Sequence, residues 1–503
     1  MATWQWWTLI AYCLIVLVLG VYGFHRYLML RLFFRHRHHP PPSPTPFASL
    51  PPVTVQLPLY NELAVVQRLI DAVCQLDYPK DRLHIQVLDD SLDQTAQLAQ
   101  ATVAHWKAQG LDIDYLHRSV RTGFKAGALE AGLATAKGEF LFLFDADFLP
   151  PPQILRQAID YFTDPGIGMV QLRWGHLNRT YSLLTRLQAI FLDAHFVVEH
   201  TARNRSGRFF NFNGTAGIWR KQAILTAGGW QHDTLTEDLD LSYRAQLKGW
   251  RFLYLPEIEV PGEIPVEMNA FKSQQHRWTK GAVQTGKKIL PRVWHSSLPL
   301  KVKVEATFHL TAHGSYLLML AMALLMGPVL SLRAQLGWER LLIIDLPLFS
   351  LATLAISGFY LVGQRELYAD WKSQIKYLPL LMAVGMGLCI NNTRAVIEGL
   401  VGHTSPFLRT PKYGVVGGGG QRGWQYSSRA TLLVGGELAM AFYFALVVHQ
   451  AWSIGLYAGL PFLLLFLAGF LYTGLASALE PIRKSALSAS PGEKGVGKAP
   501  LTP

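Results

Sequence analysis

The sequence predicts an α/β domain built on a parallel sheet, combined with an α-helical membrane region. Three observations carry this expectation. Half of the 503 residues are apolar and only 16% are charged, against about a quarter charged in ordinary soluble domains. The deficit is local: residues 53–295 hold most of the acidic side chains, and the flanks hold long apolar runs. Within 53–295, short β-rich runs alternate with helical stretches, the pattern of strands linked through crossover helices.

The elements follow in order. Trp7 to Phe24 is an apolar run of about the minimum length that spans a bilayer. No charged segment precedes it, Trp4, Trp6 and Trp7 suit an interfacial belt, and Arg26, Arg31, Arg35 and Arg37 follow it. This reads as a retained first span with its N-terminus outside and the following domain cytosolic. Residues 1–38 are this span and its basic flank, and residues 39–52 are a proline-rich linker. Residues 53–295 are the α/β domain. Val53–Leu57, His84–Leu88 and Phe140–Phe144 read as strands and Leu63–Leu76 as a helix. Tyr181 to His200 has apolar positions at helical spacing, which fits a helix lying under a membrane or one buried in a core.

The C-terminal region, residues 296–479, holds five apolar stretches: Ala306–Leu332, Leu341–Val362, Tyr377–Leu400, Ala430–Val448 and Ile454–Leu475. The third carries Asn391, Asn392, Arg394 and Glu398 in its second half. Such groups are expensive in hydrocarbon, so residues 377–402 are expected at the cytosolic interface. That leaves five spans in all, with the C-terminus cytosolic. Residues 480–503 are expected to form a disordered tail.

The net charge of +12 fits membrane orientation. No basic helix with interleaved aromatics points to nucleic acid. Cys13, Cys74 and Cys389 are far apart and show neither a disulfide framework nor zinc spacing.

Chemistry-bearing residues gather at strand ends, where α/β sheets bind ligands. Asn61-Glu62, Asp89-Asp90 and Asp145-Ala146-Asp147 each follow a strand. Two carboxylates one residue apart can hold Mg2+ or Mn2+, which prefer oxygen ligands; an Asp-x-Asp also fits a loop cap. Lys125 stands among glycines that let backbone approach a ligand. Thr236-Glu237-Asp238 opens a helix over Leu239–Lys248, and a plain capping motif fits it equally. Gln274-Gln275-His276-Arg277-Trp278 joins an amide, a guanidinium that can grip phosphate and an indole that can stack on a sugar.

These motifs, in this order and followed by apolar spans, resemble the processive family 2 glycosyltransferases of the cellulose synthase and cellulose synthase-like group, which includes mannan and glucan synthases. The resemblance covers residues 50–480 and includes Phe212-Asn213-Gly214-Thr215-Ala216-Gly217, similar to the family's acceptor-side segment. It implies a GT-A (Rossmann-like) fold, a nucleotide-sugar donor, a divalent metal and inversion at the anomeric carbon. By resemblance, Tyr60, Glu62 and Asp89 would bind base and ribose, with Asp90 also at the donor. Lys125, Asp145, Gln274 and Arg277 would hold the diphosphate, with Asp145 and Asp147 at the metal. Asp238, flanked by Thr236 and Glu237, would be the general base. Trp278, Gly214 and Thr215 would meet the acceptor.

Phe407-Leu408-Arg409-Thr410-Pro411-Lys412, within residues 404–424, fits the Phe-x-x-Thr-x-Lys form of the family's gating loop. It departs by placing Arg409 and Pro411 inside the motif. His309, Thr311, His313, Ser315, Tyr316 and Glu437 fall inside spans and fit either a polymer channel or helix–helix hydrogen bonds. The expected activity is polymerisation of hexose from UDP-glucose or GDP-mannose into a β-linked, β-1,4 polysaccharide with export through the membrane. The alternative is transfer of one sugar to a ceramide-like lipid. The expected partners are donor, growing polysaccharide and bilayer, with no nucleic acid. The membrane would be a bacterial plasma membrane or, in a eukaryote, the Golgi.

Overall fold

The structure is a computed structural model that describes residues 2–336, 342–403, 409–417 and 433–489. Its centre is a sheet of seven strands: β1 Val53–Leu59, β2 Leu83–Asp89, β3 Asp112–His117, β4 Phe140–Leu143, β5 Ile167–His176, β6 Gly217–Arg220 and β7 Arg251–Gly262. Their order is β3-β2-β1-β4-β6-β5-β7. β1, β2 and β4 are buried along almost their whole length; β4 is wholly apolar, while β1 and β2 alternate apolar residues with buried polar ones such as Gln56 and Gln86, which bond each other at 3.0 Å.

The sheet is mixed, not parallel throughout as expected. β6 runs antiparallel to β4 and β5. Four residues suffice for it because it is held on both sides. Its approach to β5 is close: a Cβ at Gly217 would stand 3.1 Å from the Val170 carbonyl oxygen and would also strike the Phe212 ring. The remaining neighbours pair in parallel, so β1, β2 and β4 deliver their carboxyl ends to one edge. This is the GT-A-like arrangement that the family resemblance implies.

The helices that matter here are α1 Thr3–His36, α2 Val66–Cys74, α3 Gln94–Ala108, α4 Phe124–Thr135, α5 Leu183–Ala194, α6 Glu237–Leu247 and α7 Met268–His295. They are followed by α8 Leu300–Thr311, α9 Ser315–Leu336, α10 Leu342–Leu367, α11 Leu378–Gly387, α12 Cys389–Val401, α13 Leu433–Ser453 and α14 Leu460–Ala489. The region expected to be helical over Tyr181–His200 is α5 followed by a π-helical turn, His195–His200. Its apolar face is covered by protein: Leu184, Leu187 and Ile190 pack with Met268 and Phe271 of α7 and with Leu378, Leu381 and Val384 of α11. Of the two readings, the buried helix is the one found.

Five helical stretches among the described residues are long and apolar enough to cross a membrane: Thr3–His36, Leu300–Gln335, Pro347–Leu367, Leu433–Ser453 and Tyr457–Glu480. The stretch with the polar second half is broken, with Trp371–Gly387 and Cys389–Val401 meeting at 42°. α1 packs into the bundle through Leu9, Tyr12 and Val16, which belong to one buried apolar cluster with Met322, Phe444, Phe466 and Phe470. α14 runs on to Ala489, so the tail expected to be disordered from residue 480 is helical there. Residues 490–503 lie outside the described residues, as do Phe407 and the remainder of the 404–408 and 418–424 parts of the expected loop.

Candidate active site

The carboxyl ends of β1 and β4, the start of α6 and the middle of α7 converge on one pocket. Its lining includes Tyr60, Glu62, Asp90, Lys125, Asp145, Asp147, Gly214, Thr236, Glu237, Asp238, Gln274, Arg277, Trp278, Arg409, Thr410 and Lys412. Almost every expected site residue within the described residues is therefore brought to one place.

The local backbone explains part of this. Among the described residues, the positive-φ non-glycine residues are Asn61, Phe124 and Ala216. Each flanks a site residue: Glu62, Lys125 and Thr215. Strained backbone of this kind persists only where surrounding structure enforces it. Gly214 has φ +81°, and a Cβ there would stand 3.1 Å from an Asp238 oxygen. Glycine is thus required both for conformation and for space.

Lys125, in the first turn of α4, donates to Asp145 Oδ1 at 2.5 Å and to the Gly214 carbonyl at 2.9 Å. Burial pulls its ammonium down, but Asp145, Glu237 and Asp238 outweigh that and hold it above its ordinary value. Asp145 N–H donates to Thr215 Oγ1 at 2.9 Å, so Thr215 supports the Asp-x-Asp turn from below. Asp147 receives a hydrogen bond from Lys412.

Thr236 stands just before α6 and its side chain does not cap the helix. It bonds Thr285 of α7 instead, at 3.1 Å, and a side chain at Gly281 would strike it. The motif is therefore a helix–helix junction that sets Glu237 and Asp238 against α7. Burial pushes the Asp238 carboxyl up, and the Glu237 carboxylate pushes it further, to about 7 against the pull of Lys125. Glu237 is also raised by burial. Arg277 faces the field of Glu237, Asp145, Asp238 and Asp147, and Thr410 of the loop lies 3.5 Å from its Nη2. Trp278 packs with Leu192 of α5 and Ile264.

Two expected site residues, Asp89 and Thr215, stand outside the pocket lining. Asp89 is fully buried and does not line the pocket. Its carboxylate accepts from the Tyr115 hydroxyl at 2.7 Å and the Ser91 N–H at 2.9 Å, so it braces the turn. Asp90 faces the pocket. Glu62, expected at base and ribose, lines the pocket and is held there by Arg409 at 2.8 and 2.5 Å. Three residues that sequence reading missed also belong here. Arg118 grips Asp90 at 2.7 and 2.6 Å, Arg121 lies 3.4 Å over the Tyr60 ring, and Glu263 accepts the Tyr413 N–H at 2.8 Å.

Asp145 and Asp147 suit a divalent cation, being hard oxygen donors that each already face an ammonium group. His84, Asp112 and Asp114 also approach one another within metal-binding range. They sit at the amino ends of β2 and β3, away from the pocket, and Lys137 and Lys107 bond the two carboxylates.

A family model described as "Glycosyltransferase like family 2" matches residues 51–281. Glucomannan 4-beta-mannosyltransferase 2 of Arabidopsis thaliana is 45% identical over 251 residues, 49% of this chain and 47% of that one. Glucomannan 4-beta-mannosyltransferase 1 of Oryza sativa subsp. japonica is 42% identical over 267 residues, 52% of this chain and 51% of that one. The chain spans about half the length of these curated relatives. The solved mannosyltransferase PcManGT of Pyrobaculum calidifontis, in complex with GDP-Man and Mn2+, aligns over 78% of this chain and 99% of its own, with 20% identity and a TM-score of 0.49.

Proposed function

We propose that this chain, whose residues 51–281 form a family 2 glycosyltransferase domain, is a membrane-embedded inverting mannosyltransferase that extends a β-1,4-linked polysaccharide from GDP-mannose. The observation that carries the reading is the convergence of Asp145-Asp147, Glu237-Asp238 and Arg277-Trp278 on one pocket. The mannosyltransferase relatives favour mannose over glucose.

Asp238 takes the proton of the acceptor hydroxyl as the new bond forms, a task suited to a carboxylate raised toward neutrality. Arg277 and Lys125 hold the diphosphate, the first as a fork and the second as a point charge. When bound at Asp145 and Asp147, Mg2+ or Mn2+ would offset the charge of the leaving diphosphate. Trp278 stacks on the acceptor sugar. A single displacement inverts the anomeric carbon, so an α-linked donor gives a β-linked product.

Export is supported by the helix that follows. Every residue from 311 to 321, which covers the end of α8, the turn after it and the start of α9, keeps partial exposure. Thr279, beside Trp278, bonds His313 of that stretch at 3.1 Å, and Tyr243 of α6 bonds His309 at 2.8 Å. These bonds place polar side chains between the acceptor side and the apolar helices, as an export path requires and as helix–helix hydrogen bonding also would. Glu437 takes no part in it, being fully buried against Lys272.

Membranes carrying the protein are incubated with labelled GDP-mannose and, separately, labelled UDP-glucose. Long product that only β-mannanase digests is expected from the first. One sugar on extractable lipid supports the ceramide-like alternative, and β-glucanase-sensitive polymer from UDP-glucose overturns the donor.

A further inference from the structure

α7 presents Gln274, Arg277 and Trp278 to the pocket. At about 100° per residue these three lie on the face opposite Lys272. The opposite face is pinned. The Lys272 ammonium is buried and donates to Glu437 Oε2 at 2.5 Å, Ser477 Oγ at 2.6 Å and the Thr473 carbonyl at 3.3 Å. An ammonium has three protons, and here three acceptors from two different apolar helices, α13 and α14, surround it. One turn earlier the helix begins without a cap from its own N-cap residue, Glu267. The free N–H groups of Met268 and Asn269 are taken by Glu480 of α14, whose carboxylate also accepts from Asn269 Nδ2 at 2.6 Å. A helix start carries exposed donors and partial positive charge, so a carboxylate supplied from a distant helix fixes the position of that end. Asn391 of α12 closes the arrangement by donating to the Lys272 carbonyl at 3.0 Å.

We propose that Lys272, Glu437 and Glu480 are positioning residues for sugar transfer. They set the rotation and axial register of α7 on the apolar helices, and thereby hold Trp278 and Arg277 at the correct distance from the donor. The inference rests on the functional reading above. None of the three lines the pocket, so they act through α7.

The test uses the full chain, purified in detergent or nanodiscs, with labelled GDP-mannose and a manno-oligosaccharide. Two products are counted, sugar on the acceptor and free mannose released to water. The variants are Glu480→Gln, the conservative Glu480→Asp, and the double Lys272→Met/Glu437→Leu, which removes both buried charges without orphaning one. For Glu480→Gln and the double variant we expect transfer to the acceptor to fall about tenfold, acceptor KM to rise and mannose release to persist. Glu480→Asp restores part of the transfer. Amide hydrogen exchange over residues 268–278 is expected to quicken while β1, β2 and β4 stay protected. An unchanged ratio of the two products, or their proportional loss, overturns the inference and leaves only a structural role. If the wild-type chain transfers no hexose, the functional reading fails, and the exchange comparison decides alone whether Glu480 and Lys272 hold α7 in place.

Discussion

Around Asp238 the charge is unevenly shared. Glu237, Asp145 and Asp147 crowd the pocket, while Lys125 and Arg277 answer them. Removing the carboxylate should leave donor affinity nearly intact and slow transfer by about 10²–10⁴-fold, the usual worth of a positioned base. Donor KM and kcat of Asp238→Asn, measured side by side, check this; wild-type turnover removes Asp238 from the role. The pH dependence follows with a definite sign. A base works when unprotonated, so kcat/KM should rise with pH through about 7 and level off above it. Glu237 is one cause of the raised value, second to burial. Glu237→Gln should therefore move the rising limb to lower pH, and a limb that stays in place or moves upward refutes the coupling.

At this scale the motifs were legible because chemistry chose the residue types. What the sequence could not decide was which of two neighbours faces the pocket. Successive side chains along a strand point to opposite faces, and Asp89 and Asp90 divide in that way, one braced by Tyr115 and the other held by Arg118. Arg118 and Arg121 belong to no motif in the sequence; pairing of β2 with β3 brings their loop beside Asp90.

Among the elements, the segment 409–417 behaves as a docked strap. Arg409 holds Glu62, Lys412 holds Asp147, the Tyr413 N–H reaches Glu263, and the Gly417 N–H donates to the Leu177 carbonyl at 2.8 Å. The Arg409 and Glu62 side chains are only 11% and 12% exposed, so loss of one partner strands a desolvated charge. Glu62→Ala should weaken docking by about 2 kcal/mol, roughly a 30-fold rise in the undocked population. Trypsin cleavage after Lys412, timed under native conditions, reads that population; an unchanged rate shows that the pair does not hold the strap. The charges inside the family motif, Arg409 above all, thus have a partner that only the fold reveals. The strands missed in the sequence have physical reasons too. β5 carries Gln171 and Arg173 inward, where Gln171 bonds the Thr215 and Ala216 carbonyls. β7 contains Pro256 and Pro261, which argue against a strand anywhere but at a sheet edge, and the edge is where β7 lies.

For the whole molecule, the decisive question is how often the chain crosses the membrane. Among the described residues five helical stretches pass by length and apolarity, and the bent pair over residues 371–401 would make a sixth. The polar half of that pair is taken up by α7: Asn391 donates to the Lys272 carbonyl, and Glu398 meets Lys280 at 3.1 Å and His276 at 3.3 Å. α7 carries the pocket residues Arg277 and Trp278, so α12 is bound to the catalytic side along its length. A crossing would have to tear these contacts away or carry α7 with it. The bent pair should therefore return to the side it left, giving five crossings. By the positive-inside rule, the Arg31, Arg35 and Arg37 flank after the first apolar run predicts a cytosolic domain. With five crossings, the two ends of the chain stand on opposite sides, and the C-terminal end shares the cytosol with the pocket. A reporter active only in the cytosol, fused to the C-terminal end, should be active, and one at the N-terminal end silent. An inactive C-terminal reporter beside a cytosolic catalytic domain would mean that the bent pair crosses.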